Sequence, residues 1–181
     1  DGFDRFAFAP ELAAVLRAAG HDAEALRASG PLRPLLDALL GPRGLGYAEK
    51  PKGLLAFHRD GDRARTAFEE HLREVALLAR GTDGACSAHF TVSPEHRAGF
   101  VSVLADARAR LEGPLGVHWQ VAFSEQKPAT DTVAADPNGG PFRDANGRLV
   151  LRPAGHGALL ANLGECGGDL VLLKNIDNVT V

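Results

Sequence analysis

The sequence predicts an α/β fold in which helices cover both faces of a mostly parallel sheet, and three observations lead there. Between Thr66 and Phe123 a helix, a strand, a helix and a strand follow one another with short connections, the order that builds parallel sheets. Residues 170–173 form a continuous apolar run, Leu-Val-Leu-Leu, the pattern of a strand buried on both faces. At 181 residues and 45% hydrophobic content, the chain is long enough for one well-buried domain.

The opening reads as a small helical cap over residues 1–44. Pro10 suits the first turn of a helix over 11–19 that Gly20 stops, and residues 22–28 and 31–40 repeat the pattern. Their Leu and Ala spacing is that of packing. Gly41-Pro42-Arg43-Gly44 breaks regularity, and an α/β domain over 45–181 is expected to follow. Its first loop, Lys50-Pro51-Lys52-Gly53, is stiff and open. It suits an ammonium held toward phosphate oxygens, and equally an ordinary solvated loop.

Thr66-Ala67-Phe68-Glu69 matches a capping box, and Phe68, Leu72, Val75 and Leu78 keep helical spacing behind it. A strand over 85–92 follows, then Ser93-Pro94-Glu95-His96 as the cap of a helix reaching about residue 111, then a strand over 117–123. Asn146-Gly147 favours a tight turn, so Phe142-Arg143 and residues 149–151 are expected to form a small antiparallel flap. Gly155 and Gly157 bracket His156 at the start of a helix over 158–163, where unpaired N–H groups favour an anion or a polar base edge. The apolar run at 170–173 then leads into Asn175-Ile176-Asp177-Asn178, and buried parallel strands deliver ligand-binding residues from such ends.

Composition excludes several classes. With a net charge of −3 and basic residues dispersed among acids, the chain lacks the clustered Lys and Arg of a nucleic-acid surface. No apolar run approaches a membrane span and no signal-peptide pattern stands at the start, so a cytoplasmic protein is expected. The two cysteines, Cys86 and Cys166, show no metal-ligand spacing and read as buried reduced thiols. There is no Gly-x-Ser-x-Gly elbow and no dinucleotide-binding fingerprint. The chain has no methionine and stops just past its most informative motif, so it is expected to be a piece of a longer protein.

Two readings stand for Asp177. A carboxylate after a buried strand is the hard oxygen donor Mg²⁺ prefers when it also holds substrate phosphates, and Asp177 and Asn178 also suit a turn bonded to local backbone. His156 suits contact with a base or a sugar hydroxyl, or a turn histidine satisfied by nearby carbonyls. His71, His89 and His118 form no spaced ligand pair and are expected to pack or lie at the surface; residues alone leave His58 and His96 undecided.

Taken in order, Lys50-Pro51-Lys52-Gly53-Leu54-Leu55, the stretch from His89 to His96, Phe123-Ser124-Glu125-Gln126-Lys127, the stretch from Arg152 to Leu159 and Lys174-Asn175-Ile176-Asp177-Asn178-Val179 resemble the bacterial domain-of-unknown-function 4301 family. The likeness covers residues 45–181, with the opening helices matching only loosely. That family in turn resembles UDP-sugar pyrophosphorylases, whose pattern has a Pro-Gly-His-Gly turn and, after a strand, Asn-x-Asp-Asn; here Ala154 separates Pro153 from Gly155.

The resemblance implies a Rossmann-like sheet of the nucleotide-diphospho-sugar transferase type. It also implies transfer of a nucleotidyl group from an NTP to a sugar 1-phosphate, with release of pyrophosphate. Lys52 and Asp177 would be the catalytic pair, Lys52 near the phosphates and Asp177 on Mg²⁺. Gln126 and Gly155 would lie near the base and His156 near the sugar phosphate, with Gly157 and Asn178 completing the substrate set. A Gly-rich nucleotide loop and a second metal-binding acid, both implied by the resemblance, have no counterpart within residues 1–181, so the chain alone is not expected to be catalytically complete. A binding module of the same fold is the alternative, since fold does not guarantee activity.

Overall fold

The computed structural model describes residues 3–153 and 155–179; Ala154, singled out above as the departure from the family turn, lies outside them. The described residues divide into two compact units. The first takes in described parts of Asp1–Cys86, Ala98–Trp119 and Lys174–Val181, the second Ser87–Arg97 and Gln120–Leu173.

The first unit opens with the expected helices, α1 (Ala9–Ala18), α2 (Ala23–Ser29) and α3 (Leu32–Leu40). Pro10 sits in the first turn of α1, and the Asp22 side chain caps α2 by accepting from Glu24 N at 2.9 Å. Leu12, Leu16 and Ala38 are buried at the centre of these helices, with Phe3, Phe8, Leu35 and Leu39 packed around them.

A hairpin absent from the sequence reading follows. Strands β1 (Ala56–Asp60) and β2 (Arg63–Thr66) pair antiparallel, joined by the two-residue loop Gly61-Asp62, with Gly61 at φ +59°. A two-residue Gly-Asp loop between strand-like residues is a hairpin signal. Thr66 ends β2 and caps α4 (Ala67–Leu78). The capping box forms as expected: Glu69 N donates to Thr66 Oγ1 at 3.2 Å and Thr66 N to Glu69 Oε2 at 3.0 Å.

Every residue from Ala67 to Leu72 is buried, including Glu69, Glu70 and His71. The two carboxylates are tolerated there because each meets a guanidinium. Glu69 takes Arg110 and, at 3.6 Å, Arg63; Glu70 takes Arg65 at 2.7 Å and His58 Nδ1 at 3.2 Å. Phe68 packs edge-on against Phe100 of α5 (Arg97–Leu115), ring centroids 5.2 Å apart.

Asp106, on α5, receives both Arg63 and Arg110. Partial burial pushes its carboxyl up, but the two guanidiniums together outweigh that and hold it below its ordinary value of 3.8. A carboxyl depressed in the folded state stabilises above its unfolded value and loses that contribution as pH falls through the folded one. Asp106→Asn is therefore expected to be less stable than wild type at about pH 6 but to lose less between about pH 6 and pH 3. Urea midpoints at the two pH values check this, and parallel wild-type and variant losses would contradict it.

Strand β3 (Ala85–Thr91) pairs with β4 (His118–Ser124). His118 N donates to Gly84 O at 3.0 Å and Val92 N to Ser124 O at 2.8 Å, so the two strands advance in the same direction. This is the parallel pair the helix–strand alternation predicts. Cys86 is fully buried, and burial pushes its thiol up; Cys166 is half-buried, and both are free.

In the second unit, β5 (Thr132–Val133) pairs antiparallel with β6 (Leu151–Arg152). The expected flap lies beside them: Arg143 bridges Leu149, and Gly147 takes φ +76° in the turn. It is wider than expected, because Phe142 N donates to Ala134 O at 2.7 Å and brings in a third limb.

Among the described residues the architecture is α/β with three two-stranded sheets, two of them antiparallel, so the expected mostly parallel sheet is corrected to one parallel pair beside separate hairpin-like pairs. Further expectations are corrected. Residues 170–173 are not a strand: Leu170 is 85% and Leu173 77% exposed, and no described strand pairs with them. An apolar run records hydrophobicity but not whether a neighbouring ladder exists to satisfy its backbone. Ser93 makes no side-chain cap; a 3₁₀ turn, Pro94–His96, leads into α5 instead. That helix runs past residue 111 through Pro114, where a proline in the last turn costs little ladder. The helix after the Gly-His-Gly turn is a 3₁₀ turn, His156–Leu159, followed by only five residues of α6 (Leu160–Gly164). Ala158 N is already taken by Gly155 O at 3.3 Å, so the helix-start anion site does not form as expected. No helix among the described residues is long and apolar enough to cross a membrane.

Candidate functional site

The sequence-singled residues fall into two clusters, one in each unit. In the first unit, the Lys-Pro-Lys-Gly loop becomes a 3₁₀ turn, Lys52–Leu54, with Pro51 extended ahead of it. Lys52 Nζ donates to Asp177 Oδ2 at 2.6 Å, with the side chains 66% and 40% exposed. Gly53, directly after Lys52, is buried. A Cβ there would fall 2.7 Å from the Phe100 ring and 3.2 Å from Ile176, so only glycine lets this turn pack so closely against the segment carrying Asp177.

Asp177 lies in a turn and beside a lysine. Asn178 N donates to Asn175 O at 3.0 Å, which closes a turn, and the Asp177 carboxylate accepts from Lys52. Two side chains from α4 hold the segment. His71 Nε2 meets Ile176 O at 3.1 Å, so that nitrogen carries the hydrogen, and Glu74 accepts from Lys174 Nζ with both oxygens at 2.7 Å. His71 is packed, as expected. Its link to the residue before Asp177 was not legible, since nothing in sequence ties positions 71 and 176 together.

In the second unit, Gln126, Pro153, Gly155, His156 and Leu159 line one depression of about 270 Å³. The pocket edge at 124–127 is braced against α6. Asn162, only 3% exposed, donates through Nδ2 to Ser124 Oγ at 2.9 Å and to Glu125 O at 2.8 Å, and Lys127 pairs with Glu165. Asn162 Oδ1 has no hydrogen-bond partner among the described residues. His89 Nε2 also reaches Ser124 Oγ, at 2.7 Å, which gives the exposed His89 a surface role. Gln126 Nε2 donates to Asp131 Oδ1 at 3.1 Å across the 3₁₀ turn Pro128–Thr130. Asn162 and Asp131 had no role in the sequence reading. A five-residue gap spanning a proline turn is the one signal that could have paired Gln126 with Asp131.

Gly155 takes φ +80° and ψ 143°, a region that L side chains scarcely enter. Space is not the constraint, because a Cβ there would meet nothing within 4 Å. Gly155→Ala is expected to destabilise by about 1–3 kcal/mol from backbone strain alone. Gly157, equally open but with no positive φ, is expected to accept alanine within about 1 kcal/mol of wild type. Urea unfolding of the two variants measures the contrast, and equal effects would contradict it.

His156, Gly157 and Asn178 are exposed, as substrate contacts must be. Another depression, about 620 Å³, lies in the first unit among residues that include Phe3, Arg17, His21, Arg27 and Arg59; it gathers none of the candidate catalytic, substrate or metal residues.

The donor set bears on Mg²⁺. Among the described residues no three His, Cys, Asp or Glu side chains converge on a point that could hold a metal ion. Asp177 offers one hard carboxylate, half-exposed and already beside a cation. That fits an ion arriving with phosphate oxygens and water as its other ligands, as Mg²⁺ commonly does. It does not make a cage for the ion alone.

No curated protein and no solved structure matches the chain. The family model described as domain of unknown function (DUF4301) matches residues 1–181, opening helices included. The chain that gathers Gln126, Gly155 and His156 about one depression, and sets Lys52 against Asp177, belongs to the domain-of-unknown-function 4301 family.

Proposed function

We propose that this is a cytoplasmic nucleotidyltransferase-like domain, with the Rossmann-like sheet of the nucleotide-diphospho-sugar transferase type. Its reaction is transfer of a nucleotidyl group from an NTP to a sugar 1-phosphate. The observation that carries the reading is that Gln126, Pro153, Gly155 and His156, from two separate stretches of sequence, line one depression. Of these, the motif likeness to UDP-sugar pyrophosphorylases assigns Gln126 and Gly155 to the base and His156 to the sugar phosphate.

In this reaction an oxygen of the sugar phosphate attacks the α-phosphorus, the bond to the bridging oxygen breaks, and pyrophosphate leaves with that electron pair. The attacking oxygen is already anionic, so no general base is required. Positioning and charge neutralisation suffice. The motif likeness would give Gln126 and Gly155 to the nucleoside, His156 and Gly157 to the sugar phosphate, and Lys52 to phosphate oxygens. Asp177, with Asn178 beside it, would hold Mg²⁺, which would supply charge stabilisation to the phosphates.

The test is direct. Full-length protein is incubated with each NTP, a panel of sugar 1-phosphates and Mg²⁺, and pyrophosphate is measured. Release that requires both substrates and the metal is expected; absence of release across the panel removes the enzymatic reading. One observation favours the non-catalytic alternative, a nucleotide or sugar-nucleotide binding module: Lys52 and Asp177, the two residues assigned to catalysis, are engaged with each other. Nucleotide binding by titration without pyrophosphate release would select it.

A further inference from the structure

We infer that Asp131 is a positioning residue that sets base selectivity, by fixing which way round the Gln126 amide is presented. This rests on the reading of the Gln126 depression as the nucleoside pocket.

The argument starts from the difference between an amide and a carboxylate. Gln126 carries one acceptor, Oε1, and one NH₂ donor. The two look alike in shape, and a terminal amide turns over readily when nothing selects between its orientations. A carboxylate accepts only. With Asp131 Oδ1 at 3.1 Å, the group facing it must be Nε2, and Oε1 is turned away by the trigonal geometry of the amide.

The opposite orientation would set an acceptor against a carboxylate. The partner is well held: Asp131 N donates to Pro128 O at 3.1 Å, and Thr130 Oγ1 to Lys127 O at 2.8 Å, which pins the turn carrying it. The backbone before Gln126 is pinned by Asn162 through Glu125 O. Both ends of the Gln126–Asp131 bond are therefore fixed in a unit where Gln126 lines the depression.

A fixed amide reads hydrogen-bond polarity. Uracil, thymine and guanine present a ring N–H beside a carbonyl, whereas adenine and cytosine present a ring nitrogen acceptor beside an amino group. An amide locked one way round matches one of these patterns and sets donor against donor, or acceptor against acceptor, in the other. A free amide would turn over and match both. Asp131 thus makes Gln126 a discriminating contact rather than an adaptable one.

The test measures affinities of full-length protein for UTP, dTTP, GTP, ATP and CTP by titration calorimetry, for wild type, Asp131→Asn and Gln126→Ala. Wild type is expected to separate the two groups of bases by on the order of tenfold or more, the scale of a well-formed bidentate base contact. Asp131→Asn offers both a donor and an acceptor, so Gln126 can pair with it either way round. Its separation is expected to fall to within about threefold, with affinity for the preferred nucleotide kept within about threefold, since the contact itself survives.

Gln126→Ala is expected to lose the separation as well, and adding Asp131→Asn to it to change nothing further. This pairing keeps the inference testable should one variant fold poorly. A wild type that binds without separating the groups, or an Asp131→Asn that keeps the separation, overturns the inference and leaves the nucleoside pocket standing. A wild type that binds none of the five overturns the pocket reading and the inference with it.

Discussion

Asp177→Ala is expected to lower Mg²⁺-dependent pyrophosphate release by the full-length protein by about 10²–10³-fold, the usual cost of removing one preorganised electrostatic contact to a reacting phosphate. The same change is expected to leave folding stability within about 1 kcal/mol, since the ion pair it breaks is substantially exposed and such pairs contribute little. Other contacts hold the turn as well. Asn178 N still reaches Asn175 O, and His71 still holds Ile176 O.

Activity and stability should therefore separate cleanly in this variant. A pyrophosphate assay run beside a urea titration shows whether they do. Equal activity in wild type and variant would remove Asp177 from the mechanism, and a matching fall in stability would make it a structural residue. Raising Mg²⁺ should not rescue the alanine variant, because the protein oxygen that recruits the ion is gone.

Glu69→Ala is expected to destabilise the protein by about 3 kcal/mol, toward the low end of what removing one partner from a buried ion pair costs. Glu69 is 2% exposed and serves two ends at once. One oxygen completes the α4 capping box with Thr66 N, and the other takes Arg110 and Arg63. Alanine removes the cap interaction and strands two guanidiniums. Asp106 limits the loss, because both arginines keep it as a partner.

Glu69→Gln keeps an oxygen for Thr66 N and loses only the charge, so about half the effect is expected. Urea unfolding of both variants reads the difference. A Glu69→Ala protein within about 1 kcal/mol of wild type would mean the buried network adds specificity without net stability.

Where the controlling physics is local, the sequence was legible. The three opening helices, the Thr66 capping box, the β3 and β4 strands and the Asn146-Gly147 flap all follow from periodicity, caps and turn residues lying within a few positions of one another. The β1–β2 hairpin belongs to the same class, and its Gly61-Asp62 turn could have been read. The residues later found about the Gln126 depression were named from motif likeness, but what brings Gln126 and His156 to one rim is a tertiary contact, the Asn162 brace on Glu125 O.

Residues 170–173 show the limit from the other side. Their apolarity was read as a buried strand, yet burial depends on whether another ladder lies alongside, and that is not encoded in the four residues themselves. By itself the sequence determined the local elements and the kinds of side chain available for chemistry. Only the tertiary structure decided that Lys52 meets Asp177, that His71 holds the residue before it, and that Asp131 turns the Gln126 amide. Hydrogen bonds and ion pairs are selected by distance and orientation in space, and separations of five or more than a hundred positions leave no periodic trace along the chain.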